Sequence, residues 1–215
     1  IDSIAQAGRV RAMKLVIATR NRHKLDEIRA ILHQPSLEIV SAFDFPDIPD
    51  VVEDGATFEA NAVKKAVTLA TATGCWALAD DSGLEVDALS GEPGVYSARY
   101  AGEPVSYKAN NEKLLANLET VGDRTARFRC VIALSSPSGA ARTVEGSVEG
   151  TIGFEERGTG GFGYDPVFIP EGHTLTFAEL EPEAKHAISH RGRALRVAAE
   201  RWGRMLEQYP PDWPV

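Results

Sequence analysis

The sequence contains few cysteines and no hydrophobic run long enough to cross a membrane. Its two cysteines, Cys75 and Cys130, stand among apolar neighbours with neither a CxxC spacing nor a nearby histidine, so we expect two buried, reduced thiols. Apolar stretches such as 77–79 are far shorter than the roughly 20 residues of a membrane span, and the N-terminus does not resemble a secretory signal. These absences favour a cytoplasmic protein without a membrane partner.

The sequence also lacks an excess of positive charge. Lys and Arg number 23 against 31 Asp and Glu, which gives a formal net charge of −8. Proteins that hold DNA or RNA along many phosphates normally carry a basic surface or stripe. We therefore expect no nucleic-acid polymer as a partner. A phosphate-rich ligand would require a small, locally basic and metal-assisted site.

The chain is long enough to bury a hydrophobic core without disulfides or structural metals. Its 215 residues are 43% hydrophobic and 25% charged, which is typical of a globular protein. The first twelve residues precede Met13 and follow no periodic pattern. We interpret residues 1–12 as an N-terminal extension or a cloning remnant, and we expect residues 13–209 to form a single domain.

Hydrophobic periodicity predicts the order of the elements. A long helix beginning at 54 or 57 is closed by Gly74, and an irregular acidic connection over 41–55 precedes it. Strands are predicted at 14–19, 37–40, 76–79, 126–135, 142–150 and 167–169, and the other helices at 25–32, 106–118 and 189–208. Early βα units followed by a hairpin and a terminal helix favour an α/β fold with α+β character, built on an elongated mixed β-sheet flanked by helices.

Residues 19–24 connect the first strand to the first helix and form a candidate phosphate loop. Backbone N–H groups and the helix dipole favour an anion at such a junction. The loop offers several polar side chains, namely Thr19, Arg20, Asn21, Arg22, His23 and Lys24. The alternative is a simple helix cap by Thr19 or Asn21, with the basic side chains in solvent.

Adjacent carboxylates, Asp80 and Asp81, follow an apolar strand. Because successive strand residues point to opposite faces, one carboxylate can face a metal or water while the other orients it. Asp-Ser-Gly is also ordinary turn chemistry, so an Asx-turn is the alternative. Glu53 and Asp54 could bring a third carboxylate to the metal or could cap the next helix.

Two later segments carry further candidates. Glycines surround Phe162 and Tyr164, so this loop could stack on a flat base or could place its aromatics in the core. Ser189 is a good cap for the last helix. His190 and Arg191 oppose the helix dipole there, which suggests contact with a ligand, although a structural histidine and a surface ion pair are the alternatives.

Together these segments predict a site for a metal-bound nucleotide, and their order resembles the inosine triphosphate pyrophosphatase family. The resemblance extends from about Lys14 to Leu206. Its motifs are T-x-N-x-x-K at 19–24, ADDSGLEVDAL at 79–89, PGVYSARYAG at 93–102, GTGGFGYDPVF at 158–168 and K-x-x-x-SHRG at 185–192. The chain departs from the family at Arg20, where many members have glycine, and at Ala60, where many have glutamate.

The resemblance implies two lobes with a central nucleotide cleft, a Mg²⁺ cofactor and a homodimer. It implies that Asp81 is the general base and that Glu53, with Asp80 or Asp81, binds Mg²⁺. The implied triphosphate contacts are Thr19, Asn21, Lys24 and Lys65. The implied contacts to the nucleotide and its base are Ser82, Phe162, Gly163, Tyr164, Asp165, Lys185, His190 and Arg191.

The implied reaction is hydrolysis of ITP, dITP and XTP to the monophosphate and pyrophosphate, by attack of water on the α-phosphorus. Such an enzyme removes non-standard purines from the nucleotide pool. Donors such as His190 and Arg191 would favour a 6-oxo group over the 6-amino group of adenine. One alternative is a pyrophosphatase for standard or modified nucleotides. Another is a non-catalytic nucleotide sensor, which would not need the acidic cluster.

Overall fold

A six-stranded mixed sheet forms the centre of the computed structural model, which describes residues 13–32, 37–208 and 210–214. The order is β2-β1-β3-β4-β5-β6, with β1 parallel to β2 and β3 and all other neighbours antiparallel. The strands are β1 (Met13–Ile17), β2 (Leu37–Ser41), β3 (Trp76–Val86), β4 (Thr125–Ser135), β5 (Ala141–Ile152) and β6 (Phe168–Pro170). The predicted mixed sheet is confirmed, whereas the interpretation of residues 1–12 falls outside the described residues.

Helices flank both faces of this sheet. They are α1 (Arg22–Ile31), α2 (Phe58–Thr73), α3 (Tyr107–Asn117), α4 (Pro182–Ile188) and α5 (His190–Leu206), with short 3₁₀ turns at Ala42–Asp44, Asp87–Leu89 and Gly94–Arg99. The predicted caps are confirmed: Asn21, Thr57 and Ser189 each accept a backbone N–H at the start of α1, α2 and α5. Gly74 ends α2 at a φ of 65°, a conformation that favours glycine. No helix in the described part of the chain is both long and apolar enough to span a bilayer.

Separate hydrophobic clusters occupy the two ends of the elongated sheet. At one end, residues of α1 and α5, such as Ile28 and Leu195, pack against β1, β3 and β4. At the other end, Leu114 of α3 packs with Phe128 and Phe168. Helix α2 covers the opposite face of β3 and β4 through small residues such as Ala62 and Ala66. The long strands β3 and β4 run through both ends, and the polar residues in the middle of β3 lie where the two clusters meet.

The strand β3 is much longer than the predicted 76–79. It continues through Asp80 and Asp81 to Val86 and pairs with β4 over its whole length from Ala77 onward. The alternative of an Asx-turn at Asp80–Gly83 is therefore wrong, because tertiary pairing overrides the local turn preference of Asp-Ser-Gly. Two smaller predictions also need correction. Helix α4 was not predicted, and Cys75 is only partly buried, whereas Cys130 is fully buried and both thiols are free.

Gly83 allows β3 to approach the 3₁₀ turn at Gly94–Arg99. A Cβ built at Gly83 would lie 2.4 Å from the carbonyl oxygen of Gly94 and 2.5 Å from Oγ of Ser97. We expect Gly83→Ala to lower the free energy of unfolding by about 1–3 kcal/mol, because backbone must move to accommodate the methyl group. Urea denaturation measures this change. Gly122→Ala is the matched control, since its Cβ would have no atom within 4 Å, and an equal loss in both variants would contradict the prediction.

Candidate active site

A cleft of about 610 Å³ opens where the two hydrophobic clusters meet. Its walls come from the 19–24 loop, α2, the middle of β3, the glycine-rich loop (residues 158–166) and the start of α5. The structure brings to this cleft almost every residue predicted from the sequence: Thr19, Arg20, Asn21, Lys24, Glu53, Lys65, Asp80, Asp81, Ser82, Phe162, Gly163, Tyr164, Asp165, Lys185, His190 and Arg191. Arg22 and His23 do not line the cleft. Arg22 lies over the exposed ring of Phe43, and His23 stacks on Phe162 with ring centroids 5.3 Å apart.

The 19–24 loop is ordered by its own hydrogen bonds. Thr19 Oγ1 accepts the N–H of Asn21 at 3.1 Å, and Asn21 Oδ1 accepts the N–H of Lys24 at 3.3 Å. The capping alternative is thus confirmed for Asn21, although Lys24 reaches into the cleft rather than into solvent. Arg20 donates to Asp50 at 2.5 Å and to the carbonyl oxygen of Ile48 at 2.7 Å. Its guanidinium therefore anchors the neighbouring 45–50 segment.

The two adjacent aspartates face different partners, as strand geometry predicts. Asp80 accepts from Lys24 at 3.1 Å and from Arg191 at 3.2 Å, both through Oδ2. Asp81 accepts from Lys65 at 3.1 Å and from Asn61 at 3.2 Å, both on helix α2. Neighbouring residues of one strand therefore connect the cleft to opposite sides of the sheet.

The surroundings of Asp80 and Asp81 shift the pKa values of their carboxyl groups in opposite directions. Burial opposes ionisation of Asp80, but the positive charges of Lys24 and Arg191 outweigh it and hold the pKa far below its usual range. Burial raises the pKa of Asp81, and Lys65 offsets this only in part. Asp80 is thus a permanently charged anchor, whereas Asp81 has the greater affinity for a proton. Such divergence between paired acids is typical of catalytic sites.

A chain of buried ion pairs connects the glycine-rich loop to the phosphate loop. Glu27 lies at its centre and accepts from Lys185 at 3.1 Å and from Arg191. In order, the alternating charges are Asp165, Lys185, Glu27, Arg191, Asp80 and Lys24. Because each charge has an opposite neighbour, the cations can remain ionised in the cleft wall without solvent.

Sequence reasoning missed two residues of this arrangement. Glu27 is buried on α1 and lies three positions after Lys24, so the shared helix face was an available signal. Asn61 is buried on α2, where its Oδ1 accepts the N–H of Gly55 at 2.8 Å while its amide nitrogen donates to Asp81. It fixes both the segment before α2 and the orientation of the Asp81 carboxylate.

The two aromatic rings of the glycine-rich loop lie in different places, Phe162 in the cleft and Tyr164 in the hydrophobic core. Phe162 is half-buried in the cleft, with the Lys185 ammonium 5.4 Å and the Arg191 guanidinium 5.7 Å from its ring centre. Tyr164 is buried in the second hydrophobic cluster and donates to the carbonyl oxygen of Ser97 at 2.8 Å. Asp165 accepts the N–H of Phe162 at 2.7 Å and thereby closes the loop. Of the two proposed roles, Phe162 fits base stacking and Tyr164 fits core packing.

His190 is buried and stacks on Phe128, with ring centroids 4.7 Å apart and planes at 11°. Burial, together with the nearby charges of Arg191 and Lys185, holds its pKa well below the usual 6.5, so the ring is neutral. Within the described residues, Nδ1 of His190 has no hydrogen-bond partner. A neutral imidazole can donate or accept, and this ring lies in the wall of the same cleft as the base-stacking candidate Phe162.

The neutral state of His190 predicts a loss of stability in mild acid. In the unfolded chain, His190 takes up a proton near pH 6.5, whereas in the folded chain it stays neutral. The free energy of unfolding therefore falls as the pH drops below 6.5, by up to about 1.4 kcal/mol per pH unit. We expect His190→Gln to flatten the free energy of unfolding between pH 7.5 and 5.5. Denaturant titrations across this range test it. The exposed His173 supplies the control, because His173→Gln should leave the wild-type slope unchanged; an unaltered slope in His190→Gln would contradict the prediction.

Two carboxylates could contribute to a metal site. Glu53 and Asp81 both contact Nζ of Lys65, at 2.9 Å and 3.1 Å. In the described ranges, no group of three or more His, Cys, Asp and Glu side chains is arranged to hold a metal. Mg²⁺ commonly uses one or two protein carboxylates and completes its shell with substrate phosphates and water. The donor set therefore fits Mg²⁺ that arrives with a phosphate ligand, and it does not fit a closed structural metal site.

Comparison with known proteins identifies relatives of the whole domain. A relative from Geobacter sulfurreducens named dITP/XTP pyrophosphatase is 57% identical, with the match covering 88% of this chain and 96% of the relative. A protein of the same name from Desulforamulus reducens is 56% identical over 87% and 94% of the two chains. The solved Staphylococcus aureus Ham1 protein superposes with a TM-score of 0.82 at 42% identity, over 89% of this chain and 99% of that one. The Ham1 family model matches residues 15–201, and the chain belongs to the Ham1 family.

Proposed function

We propose that this protein hydrolyses the non-standard purine nucleoside triphosphates ITP, dITP and XTP to nucleoside monophosphate and pyrophosphate. The observation that carries the proposal is the pair Asp80 and Asp81, of which one is held ionised by cations and the other has a raised pKa. The names of the relatives support the substrate class. The enzyme is a hydrolase that acts on the anhydride between the α- and β-phosphates.

The cleft provides a separate region for each end of the nucleotide. Lys24 and Lys65 lie near the Asp80 and Asp81 carboxylates and can neutralise a triphosphate, with Asn21 and Thr19 beside them. Phe162 offers its ring to the base, and the Lys185 ammonium and the Arg191 guanidinium lie over that ring, 5.4 Å and 5.7 Å from its centre. The nucleotide therefore extends from the glycine-rich loop to the start of α1.

Asp81 acts as the general base. Its raised pKa gives it a greater affinity for the proton of the attacking water than Asp80 has, and the Asn61 and Lys65 contacts fix its orientation. The water oxygen forms a bond to the α-phosphorus while the bond to the bridging oxygen of the β-phosphate breaks. The proton passes to Asp81, and pyrophosphate leaves with the electron pair of the broken bond.

Glu53 and Asp81 are the residues that would hold Mg²⁺, because their carboxylates converge beside Lys65 at the cleft. Asp80 is less suited to this role than Asp81, because Lys24 and Arg191 both contact its Oδ2. When bound, Mg²⁺ supplies charge neutralisation at the triphosphate oxygens. Lys24 and Lys65 contribute to the same neutralisation from the protein side.

Selection for the base follows from the donors around Phe162. Lys185 and Arg191 present N–H groups, and the neutral His190 can present another, so an acceptor such as a 6-oxo group is favoured. The 6-amino group of adenine would place donor against donor and leave buried groups unpaired. ITP and XTP should therefore be preferred to ATP.

The test is an assay of the purified protein with ITP and Mg²⁺. The expected products are IMP and pyrophosphate in equal amounts, with activity lost when EDTA is added and restored by excess Mg²⁺. Release of orthophosphate as the first product, or no turnover, would contradict the proposed reaction. A parallel panel of dITP, XTP, GTP, ATP and dTTP measures kcat/KM and tests the selectivity for 6-oxo purines.

Two further properties belong to the same proposal. The protein acts as a homodimer, and it acts in the cytoplasm, where nucleoside triphosphates are abundant. Light scattering of the purified protein tests the first, and a molar mass of one chain would contradict it. Fractionation of cells that express the protein tests the second.

A further inference from the structure

Tyr107 is a cleft residue that none of the sequence motifs includes. It is the first residue of α3 and lines the cleft, with 38% of its surface exposed. Its hydroxyl oxygen lies 3.4 Å from Nδ2 of Asn21, at the phosphate loop. Its ring centre lies 6.0 Å from that of Phe162, at the base-stacking loop. This single side chain therefore touches both regions that the proposed function assigns to the nucleotide.

The direction of the hydrogen bond between Asn21 and Tyr107 is fixed by the helix cap. Asn21 Oδ1 accepts the N–H of Lys24, so the amide nitrogen of Asn21 faces Tyr107 and donates to it. The phenol oxygen is thus an acceptor in this contact and keeps its own O–H for another partner. In the part of the chain that the structure describes, no other hydrogen bond reaches this hydroxyl.

Two buried tyrosines, Tyr164 and Tyr100, have structural partners for their hydroxyl groups. Tyr164 donates to the carbonyl oxygen of Ser97 at 2.8 Å. The Tyr100 hydroxyl accepts from Asn117 at 2.8 Å and lies 3.4 Å from a carboxylate oxygen of Glu92. Tyr107 differs from both because its donor remains available at the open cleft.

We infer that the Tyr107 hydroxyl donates a hydrogen bond to the part of the nucleotide between base and β-phosphate, at a sugar or α-phosphate oxygen. This inference rests on the proposed function, since it uses the placement of the base at Phe162 and of the triphosphate near Asn21. Sugar and α-phosphate must then lie between these two residues, which is where Tyr107 is. Tyr107 is a substrate-binding residue in this role.

The test compares Tyr107→Phe with wild-type enzyme on ITP and dITP. A neutral hydrogen bond contributes about 0.5–1.5 kcal/mol, so kcat/KM should fall by about 2- to 13-fold. A fall with ITP alone identifies the 2′-hydroxyl as the acceptor, and an equal fall with both substrates identifies an oxygen that they share. Tyr96→Phe is the control, because Tyr96 is 58% exposed outside the cleft. Wild-type kcat/KM for both substrates in Tyr107→Phe would overturn the inference.

Product inhibition separates direct contact from an effect through Asn21. If Tyr107 contacts the sugar or α-phosphate, Tyr107→Phe weakens inhibition by IMP and leaves inhibition by pyrophosphate unchanged. If Tyr107 only steadies Asn21, inhibition by pyrophosphate weakens at least as much as that by IMP, and the inference is wrong. Pyrophosphate release from ITP by the wild-type enzyme is measured first, so a failure of the proposed function is recognised separately.

Discussion

Replacing Asp81 by asparagine should lower kcat for ITP hydrolysis by a factor of about 100 to 10,000. The amide keeps the shape of the side chain but cannot take the proton of the attacking water. Lys65 retains its contact with Glu53 at 2.9 Å, so the neighbourhood stays paired and the fold should persist. Steady-state kinetics measure the loss, and circular dichroism with thermal unfolding shows whether the variant is folded.

Asp54→Asn is the matched control for this substitution. Asp54 precedes the same helix α2, but its carboxylate is exposed and pairs with Lys64 at 2.6 Å, outside the cleft. The control should therefore keep the wild-type kcat. A folded Asp81→Asn enzyme with wild-type turnover would remove Asp81 from its role as general base, whereas an equal loss in both variants would point to a general effect of lost negative charge.

Local patterns predicted the elements whose signals are local. Gly74 closes α2 as the sequence predicts, and of the two predicted starts, at 54 and 57, the structure has the Thr57 cap. The hairpin of β4 and β5 was predicted within about two residues at its ends, because its alternating pattern is long and a turn separates the strands. The same reasoning ended β3 too early, since the pairing with β4 that extends this strand involves residues about 50 positions away.

The sequence likewise predicts some features of the candidate site and not others. Motif positions such as Asp81, Lys185 and Arg191 were named from the sequence, and the structure gathers them in one cleft. The place of Glu27 on the same helix face as Lys24 was readable from the sequence, but its pairing with Arg191 was not, because the two residues are 164 positions apart and no local pattern connects them. Arg20 is named as a substrate contact from its place in the loop, and it lines the cleft. Its contacts with the 45–50 segment could not be predicted, because the sequence indicates only an irregular connection there.

The alternating charges also explain how a chain with net charge −8 can hold an anion. Lys24, Lys185 and Arg191 are concentrated in one cleft, where Asp80, Glu27 and Asp165 keep them charged and in position. A nucleotide phosphate then meets fixed positive groups and needs little rearrangement of the protein, which is the arrangement expected of a preorganised site. Most of the other Asp and Glu residues lie outside this cleft and affect only the net charge.

Removal of Glu27 should be the most destabilising change in this cleft wall. The carboxylate is buried between Lys185 and Arg191, so Glu27→Ala leaves two buried cations with one partner fewer. Breaking a buried ion pair from one side typically costs about 3–5 kcal/mol. Urea denaturation at pH 7 measures the loss. Asp26→Ala is the control on the same helix, because Asp26 is exposed and its removal should change stability by no more than about 0.5 kcal/mol.

The effect of Glu27→Ala should depend on pH with a defined sign. Burial opposes ionisation of Glu27, but Arg191 and Lys185 outweigh it and lower the pKa below 4.5. The folded state therefore holds this proton less tightly than the unfolded state, so the stabilisation is complete above pH 4.5 and is lost as pH falls through the lower, folded-state value. The difference in unfolding free energy between wild type and Glu27→Ala should be constant from pH 7 to 5.5 and should shrink below about pH 4.5. A difference that stays constant below pH 4.5 would show that Glu27 stabilises the fold through packing instead of charge, and one that grows in acid would mean that folding raises the pKa of Glu27.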